Sequence, residues 1–140
     1  MKRGYSLLEV LCVVVILGIL TGSLAGPFQR LCLKYQLRLA VWTVHSRLNA
    51  ARYRAIFTGL KHRVVFGVDR VTLETYDGEE EAWKRNAVYF VEGVSIQANN
   101  SPIFSPLGTV ANLATIKITN GWGGYKITLA ISGRIKAAPL

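Results

Sequence analysis

One carboxylate, Glu9, lies inside an apolar run covering residues 5–26, and it is the only charged side chain there. An ionised acid in the middle of a hydrocarbon-spanning helix costs about 2.5–3.5 kcal/mol on insertion scales. The chemistry that suits it is pairing with a cation, above all an amine brought into the same apolar surroundings. Other reactive groups are sparse. Cys12 and Cys32 stand 20 positions apart. On one continuous helix that gap spans about 30 Å, and a disulfide needs Cα atoms within about 7 Å. The cysteines therefore read as two small apolar residues. His45 and His62 stand alone, no spacing suits zinc or an EF-hand calcium loop, and no serine or cysteine has a readable histidine partner. No enzyme, metal or cofactor is expected from these residues.

The basic residues are the second candidate set. The chain of 140 residues carries a formal charge of +9. Between residues 10 and 68 there are eight Lys or Arg side chains and no acid, whereas residues 77–81 read DGEEE. Such a basic segment suits phosphates, anionic lipid or an acidic partner subunit, and composition does not choose among them.

The apolar run must position Glu9, and it has three readings. Its 22 residues are enough to cross a bilayer core, which needs about 20. A plain membrane anchor accounts for the length but not for the acid. A removable secretory signal would use Lys2 and Arg3 as its charged start, residues 10–20 as its apolar core and SLA at 23–25 as its cleavage site. Glu9 interrupts that core, and Pro27 follows close behind the proposed cut.

The third reading accounts for the acid. KRGYSLLEV, residues 2–10, resembles the processing site of type IV prepilins and type II secretion pseudopilins. The resemblance implies a peptidase cut after Gly4, N-methylation of the new terminal residue Tyr5, and Glu9 as the assembly glutamate. After the cut Tyr5 carries an amine in apolar surroundings, and Glu9 can neutralise its own or a neighbour's amine. Such buried pairs tend to specify register more than they add stability. Loss of Lys2 and Arg3 would leave 15 basic residues against 8 acidic ones.

Gly26-Pro27 suggests a kink or soft joint. Beyond it Leu33, Leu37, Ala40, Val44, Leu48, Ala51 and Ala55 recur at spacings of three and four, one face of an amphipathic helix that Gly59 ends. Arg30, Lys34, Arg38, His45 and Arg52 fall within about an 80° sector beside that stripe. They read as a solvated flank, or as a contact face for an acidic neighbour or lipid head groups. Strand patterns follow. HRVVFGV (62–68) and VTLETY (71–76) suggest a hairpin, DGEEEAWKRN a polar loop, and AVYFV (87–91) and VSIQA (94–98) short strands. ATIKIT (114–119) and YKITLAIS (125–132) suggest a further hairpin, whose NGWGG connection is expected to supply positive φ angles. The plan is α+β, a long helix laid on an antiparallel sheet, and the resemblance implies the same fold. The expected segments are a leader at 1–4, a transmembrane and assembly helix at 5–26, an amphipathic helix at 27–58 and the sheet part at 59–140.

Three weaker motifs narrow the resemblance to GspH/FimT-type minor pilins and pseudopilins. They are NAARYRAIFTG (49–59), FSPLG (104–108) and ISGRIK (131–136). The resemblance implies a structural subunit of a type II secretion pseudopilus or a type IV pilus, with its globular part outside the inner membrane. Its implied partners are other pilin-type subunits, the prepilin peptidase and the inner membrane. Some FimT-like members bind DNA near a C-terminal glycine-arginine motif, which maps here onto Arg134 and Lys136 with Lys126 nearby. The last basic position is lysine rather than arginine, a point charge without a bidentate fork. Trp122 and Tyr125 offer stacking surfaces or packing anchors. A secreted or anchored domain of unrelated function is the remaining alternative.

Overall fold

The computed structural model describes residues 6–140, with backbone only at 23–25. The chain divides between Cys32 and Leu33 into two compact units. Helix α1 spans Leu7–Thr58 and takes in both halves of the expected helix. Its helical backbone passes through Pro27 rather than breaking there. Proline has no N–H to give, so the ladder is one bond short at that turn. Gly59 then ends the helix at φ +70°, with its N–H donated to the Ala55 carbonyl at 3.1 Å. A residue without a Cβ adopts that left-handed conformation without strain.

Nine strands follow: β1 (His62–Phe66), β2 (Arg70–Asp77), β3 (Ala82–Phe90), β4 (Ser95–Ala98), β5 (Ile103–Phe104), β6 (Val110–Ala111), β7 (Thr115–Thr119), β8 (Gly124–Leu129) and β9 (Ile135–Pro139). They form two antiparallel sheets, ordered β3-β2-β1-β5-β6 and β4-β7-β8-β9. The expected hairpins are both present as β1–β2 and β7–β8. The expected polar loop is shorter than its sequence suggests. Ala82–Asn86 belong to β3, where Tyr76 and Trp83 pair edge to face with centroids 5.3 Å apart. VSIQA leaves the first sheet and pairs with β7.

The core forms between α1 and the sheets. Leu37, Ala40, Val44, Leu48, Ala51 and Ala55, six of the seven stripe residues, are buried, and Leu33 is half-buried. They pack with Val64, Val71, Leu73, Phe104, Ile116, Ile118 and Ile127. Each Leu or Ile so buried contributes about 1.5–3 kcal/mol relative to exposure. The β7–β8 connection differs from expectation. Among the described residues positive φ occurs at Gly59, Gly93, Gly108 and Gly133 and at Glu81 and Asn112, not within NGWGG. Instead Oδ1 of Asn120 accepts the N–H groups of Trp122 and Gly123 at 2.9 and 3.3 Å. Its Nδ2 donates to the Leu33 carbonyl at 2.7 Å, tying the turn to α1. Asparagine folds a turn through its side chain in this way without glycine φ angles.

Candidate functional site

Glu9 occupies the first turn of α1, and its N–H donates to the Ser6 carbonyl at 3.0 Å. A carboxylate there sits at the positive end of the helix dipole, which favours it by about 0.3–1 kcal/mol. Ser6 and Glu9 also stand at the spacing of a capping box, a helix-start signal visible in SLLE. Gly4 and Tyr5 lie outside the described residues. Behind Glu9 the large apolar side chains from Val10 to Leu20 are all exposed, and α1 is long and apolar enough to cross a membrane. Thr21 does not break that apolar character. Its hydroxyl lies within hydrogen-bond reach of the Leu17 and Gly18 carbonyls, at 2.8 and 3.1 Å.

A second feature lies in the Leu33–Leu140 unit. Tyr35, Leu39, Trp42, Tyr53 and Phe57 fall within about a 60° sector of α1 opposite its buried stripe. All are exposed, Trp42 at 69% and Phe57 at 95%. They fall in two groups, Tyr35 with Leu39 and Trp42, and Tyr53 with Phe57, separated by the polar Ser46 and Asn49. Exposed apolar groups of this kind mark surfaces that other molecules cover.

The third feature is basic. Register places Lys117 opposite Lys126, and Lys136 opposite Thr128. All three lysines are exposed on the outer face of the four-stranded sheet, away from buried Ile116, Ile118, Ile127 and Leu129. Arg134 is exposed beside them at the β8–β9 turn. With Lys136, Thr128, Leu129 and Ala130 it lines a shallow surface depression. Lys136 and Arg134 therefore share one depression, and Lys126 stands on the same face opposite Ala138. Lys117 was not singled out in the sequence, although its outward position in TIKIT follows from the period of two. Trp122 lies elsewhere, 44% exposed, with the Lys34 ammonium 5.5 Å from its ring centroid.

Residues 1–25 match the prokaryotic N-terminal methylation motif. Pilin-like protein PilA1 of Thermus thermophilus is 32% identical over 156 aligned positions, which cover 96% of this chain and 97% of that protein. The chain belongs to the type IV pilin-like family. Its fold matches the minor pseudopilin EpsH of the type 2 secretion system of Vibrio cholerae, with TM-score 0.63 and 15% identity. That match covers 74% of this chain and 97% of the other. The type IV minor pilin FimU of Pseudomonas aeruginosa matches with TM-score 0.59 and 16% identity, covering 74% and 93%.

In this pilin-like chain the three weaker motifs meet at one side chain. Arg52, from NAARYRAIFTG, donates through Nε to the Gly108 carbonyl at 3.1 Å and through Nη2 to the Ser132 carbonyl at 3.2 Å. Gly108 ends FSPLG at φ +77° and Gly133 follows Ser132 at φ +80°. A Cβ on Gly133 would stand 2.6 Å from Nε of Arg52. Only a glycine lets the two turns close around the guanidinium. Arg52 is thus a packing residue that holds the turn carrying Arg134, not part of a solvated flank. Lys34 is likewise engaged, while Arg38 remains exposed.

Proposed function

We propose that this chain is made as a prepilin, cut after Gly4, methylated on Tyr5 and assembled through α1 into a pseudopilus or type IV pilus. Residues 1–4 are then the leader, 5–26 the membrane and assembly helix, 27–58 the amphipathic helix and 59–140 the sheet part. Before assembly the apolar segment spans the inner membrane once, with the globular part on the periplasmic side. The chain acts as a structural subunit, a substrate of the peptidase rather than an enzyme.

The observation that carries this reading is the methylation motif set against an apolar run, residues 5–26, whose single charge is Glu9 and which leads into the continuous helix α1. The exposed aromatic face of α1 supports it, since assembly with other pilin-type subunits would cover that face. Mass spectrometry of the mature chain from its host tests it, with an N-methylated Tyr5 expected. A mature start at Gly26 would instead make the apolar run a secretory signal, and an intact Met1 would make it a plain anchor.

A second reading rests on Lys126, Arg134 and Lys136 lying together on an exposed sheet face. DNA held there would be bound through phosphates, weakly and without base readout. The full chain in detergent would then bind a labelled duplex with steep salt dependence, weakened by Arg134→Ala. No binding at low salt removes this reading.

A further inference from the structure

The acids and bases of this chain are segregated. All eight acidic residues lie at or before Glu92, and residues 93–140 contain Lys117, Lys126, Arg134 and Lys136 with no acid. Those four basic residues include every charged side chain on the four-stranded sheet, and among the described residues none of them forms an ion pair. Lys117 and Lys126 stand directly opposite one another on adjacent strands. Like charges so placed are destabilising, and this sheet face holds no acidic side chain to offset them. Around them the outward positions are short polar side chains, including Gln97, Thr115 and Thr128. No aromatic ring stands among these positions, so the face has no stacking platform for bases.

The complementary charge is on the same chain. The β2–β3 turn carries Asp77, Glu79, Glu80 and Glu81, and Lys84 bridges Asp77 at 2.7 Å and Glu80 at 2.9 Å. Glu79 and Glu81 are exposed and form no ion pair among the described residues. This turn lies near the Leu60 end of the helix, since Tyr76 N–H donates to the Lys61 carbonyl at 2.8 Å. The basic sheet is tied to α1 at two places, at Leu33 by Asn120 and at Arg52 by the Ser132 carbonyl, and among the described residues no ion pair joins it to the acidic turn of its own chain.

We propose that the lysine face of the four-stranded sheet receives the acidic β2–β3 turn of a second copy of this chain. The contact joins two different surfaces, so it is heterologous. It does not close as a twofold dimer, and it propagates as an open helical array unless its rotation closes a ring. Complementary patches of this kind set register and orientation more than raw affinity. The inference rests on the assembly reading above.

The test uses two tagged versions of the full chain, both carrying Cys12→Ser and Cys32→Ser, expressed together in the host. One also carries Gly78→Cys, at a turn position where a new Cβ meets open space. The other carries Gln97→Cys, an exposed residue paired in register with Lys117. A short bis-maleimide is expected to join the two tags, with yield falling as salt is raised toward 1 M, where the screening length is about 3 Å. Lys117→Glu with Lys126→Glu is expected to lower the yield about tenfold, and Glu79→Lys with Glu81→Lys in the partner copy to restore it. Absence of the cross-link in a chain that starts at Tyr5 and sediments with filaments overturns this contact and leaves the assembly reading standing. A chain that is neither cut nor assembled overturns both. Cross-linking to a different protein alone overturns the second-copy assignment. So does a charge reversal that abolishes binding to a labelled DNA duplex while leaving the cross-link unchanged.

Discussion

His62 shows how a single residue is held by its surroundings. It is the one buried polar residue among those described, 3% exposed. Thr58 Oγ1 donates to the Arg54 carbonyl at 2.8 Å, so it accepts from Nε2 of His62 at 3.1 Å. Nδ1 then accepts from the Thr75 hydroxyl at 3.1 Å, and that hydroxyl accepts from Nδ2 of Asn86. This chain of donors closes around a neutral imidazole with its proton on Nε2. Burial, and then the charge of Arg54, lower the pKa of His62 below its usual 6.5. The unfolded chain therefore binds the proton at higher pH than the folded one. Stability from this group is complete above about pH 6.5 and declines as the pH falls below it toward the lowered value. Thermal unfolding of the full chain in detergent between pH 5.5 and 7.5 is expected to show that slope. His62→Gln should flatten it; an unchanged slope would mean that another group sets it.

At the scale of elements, α1 in the Leu33–Leu140 unit has two apolar faces with different work. The buried face holds the core, and Leu48 is 0% exposed within it. Leu48→Ala is expected to lower unfolding stability by about 2–5 kcal/mol, the lost transfer energy plus a cavity. Phe57 on the opposite face is 95% exposed and touches little. Phe57→Ser is expected to change stability by no more than about 0.5 kcal/mol, as surface substitutions do. Its effect should appear as less chain in the filament fraction. Denaturation midpoints together with sedimentation of both variants separate the two faces. A large stability loss for Phe57→Ser would show that the residue packs within its own subunit.

For the whole molecule, the decisive charge is at the extreme end of the chain. Glu9 is separated along the chain from the core residues by a long apolar segment, and in the proposed assembled state it would need a cationic partner to offset its desolvation. The new amine of Tyr5 is that partner under the proposed pathway. Under that pathway Glu9→Ala removes the carboxylate of the pair and leaves the Tyr5 amine unpaired in apolar surroundings. Assembly is expected to fall by tenfold or more, measured as the filament-to-membrane ratio, while the Gly4 cut and the fold of the Leu33–Leu140 unit persist. Wild-type assembly of this variant would exclude the pairing role.

Much of this was legible from the chain itself, and the reason is periodicity. A stripe at spacings of three and four names its own buried face, so Leu37 through Ala55 were readable before any coordinates. The apolar run, its single acid and the glycine before Tyr5 are likewise local patterns, and they carried the family. Strand alternation identified both hairpins. Local pattern failed where a residue's partner is distant in sequence. Arg52 looked like one more basic flank residue, yet it binds carbonyls 56 and 80 positions away. NGWGG looked like a glycine-driven turn, but the side chain of Asn120 shapes it. Residues 82–86 looked polar enough for a loop, and pairing with β2 made them a strand. The division into two sheets, and the gathering of Lys117, Lys126, Arg134 and Lys136 on one acid-free face, depend on register between strands. Register is set by long-range packing, which the tertiary structure alone decides.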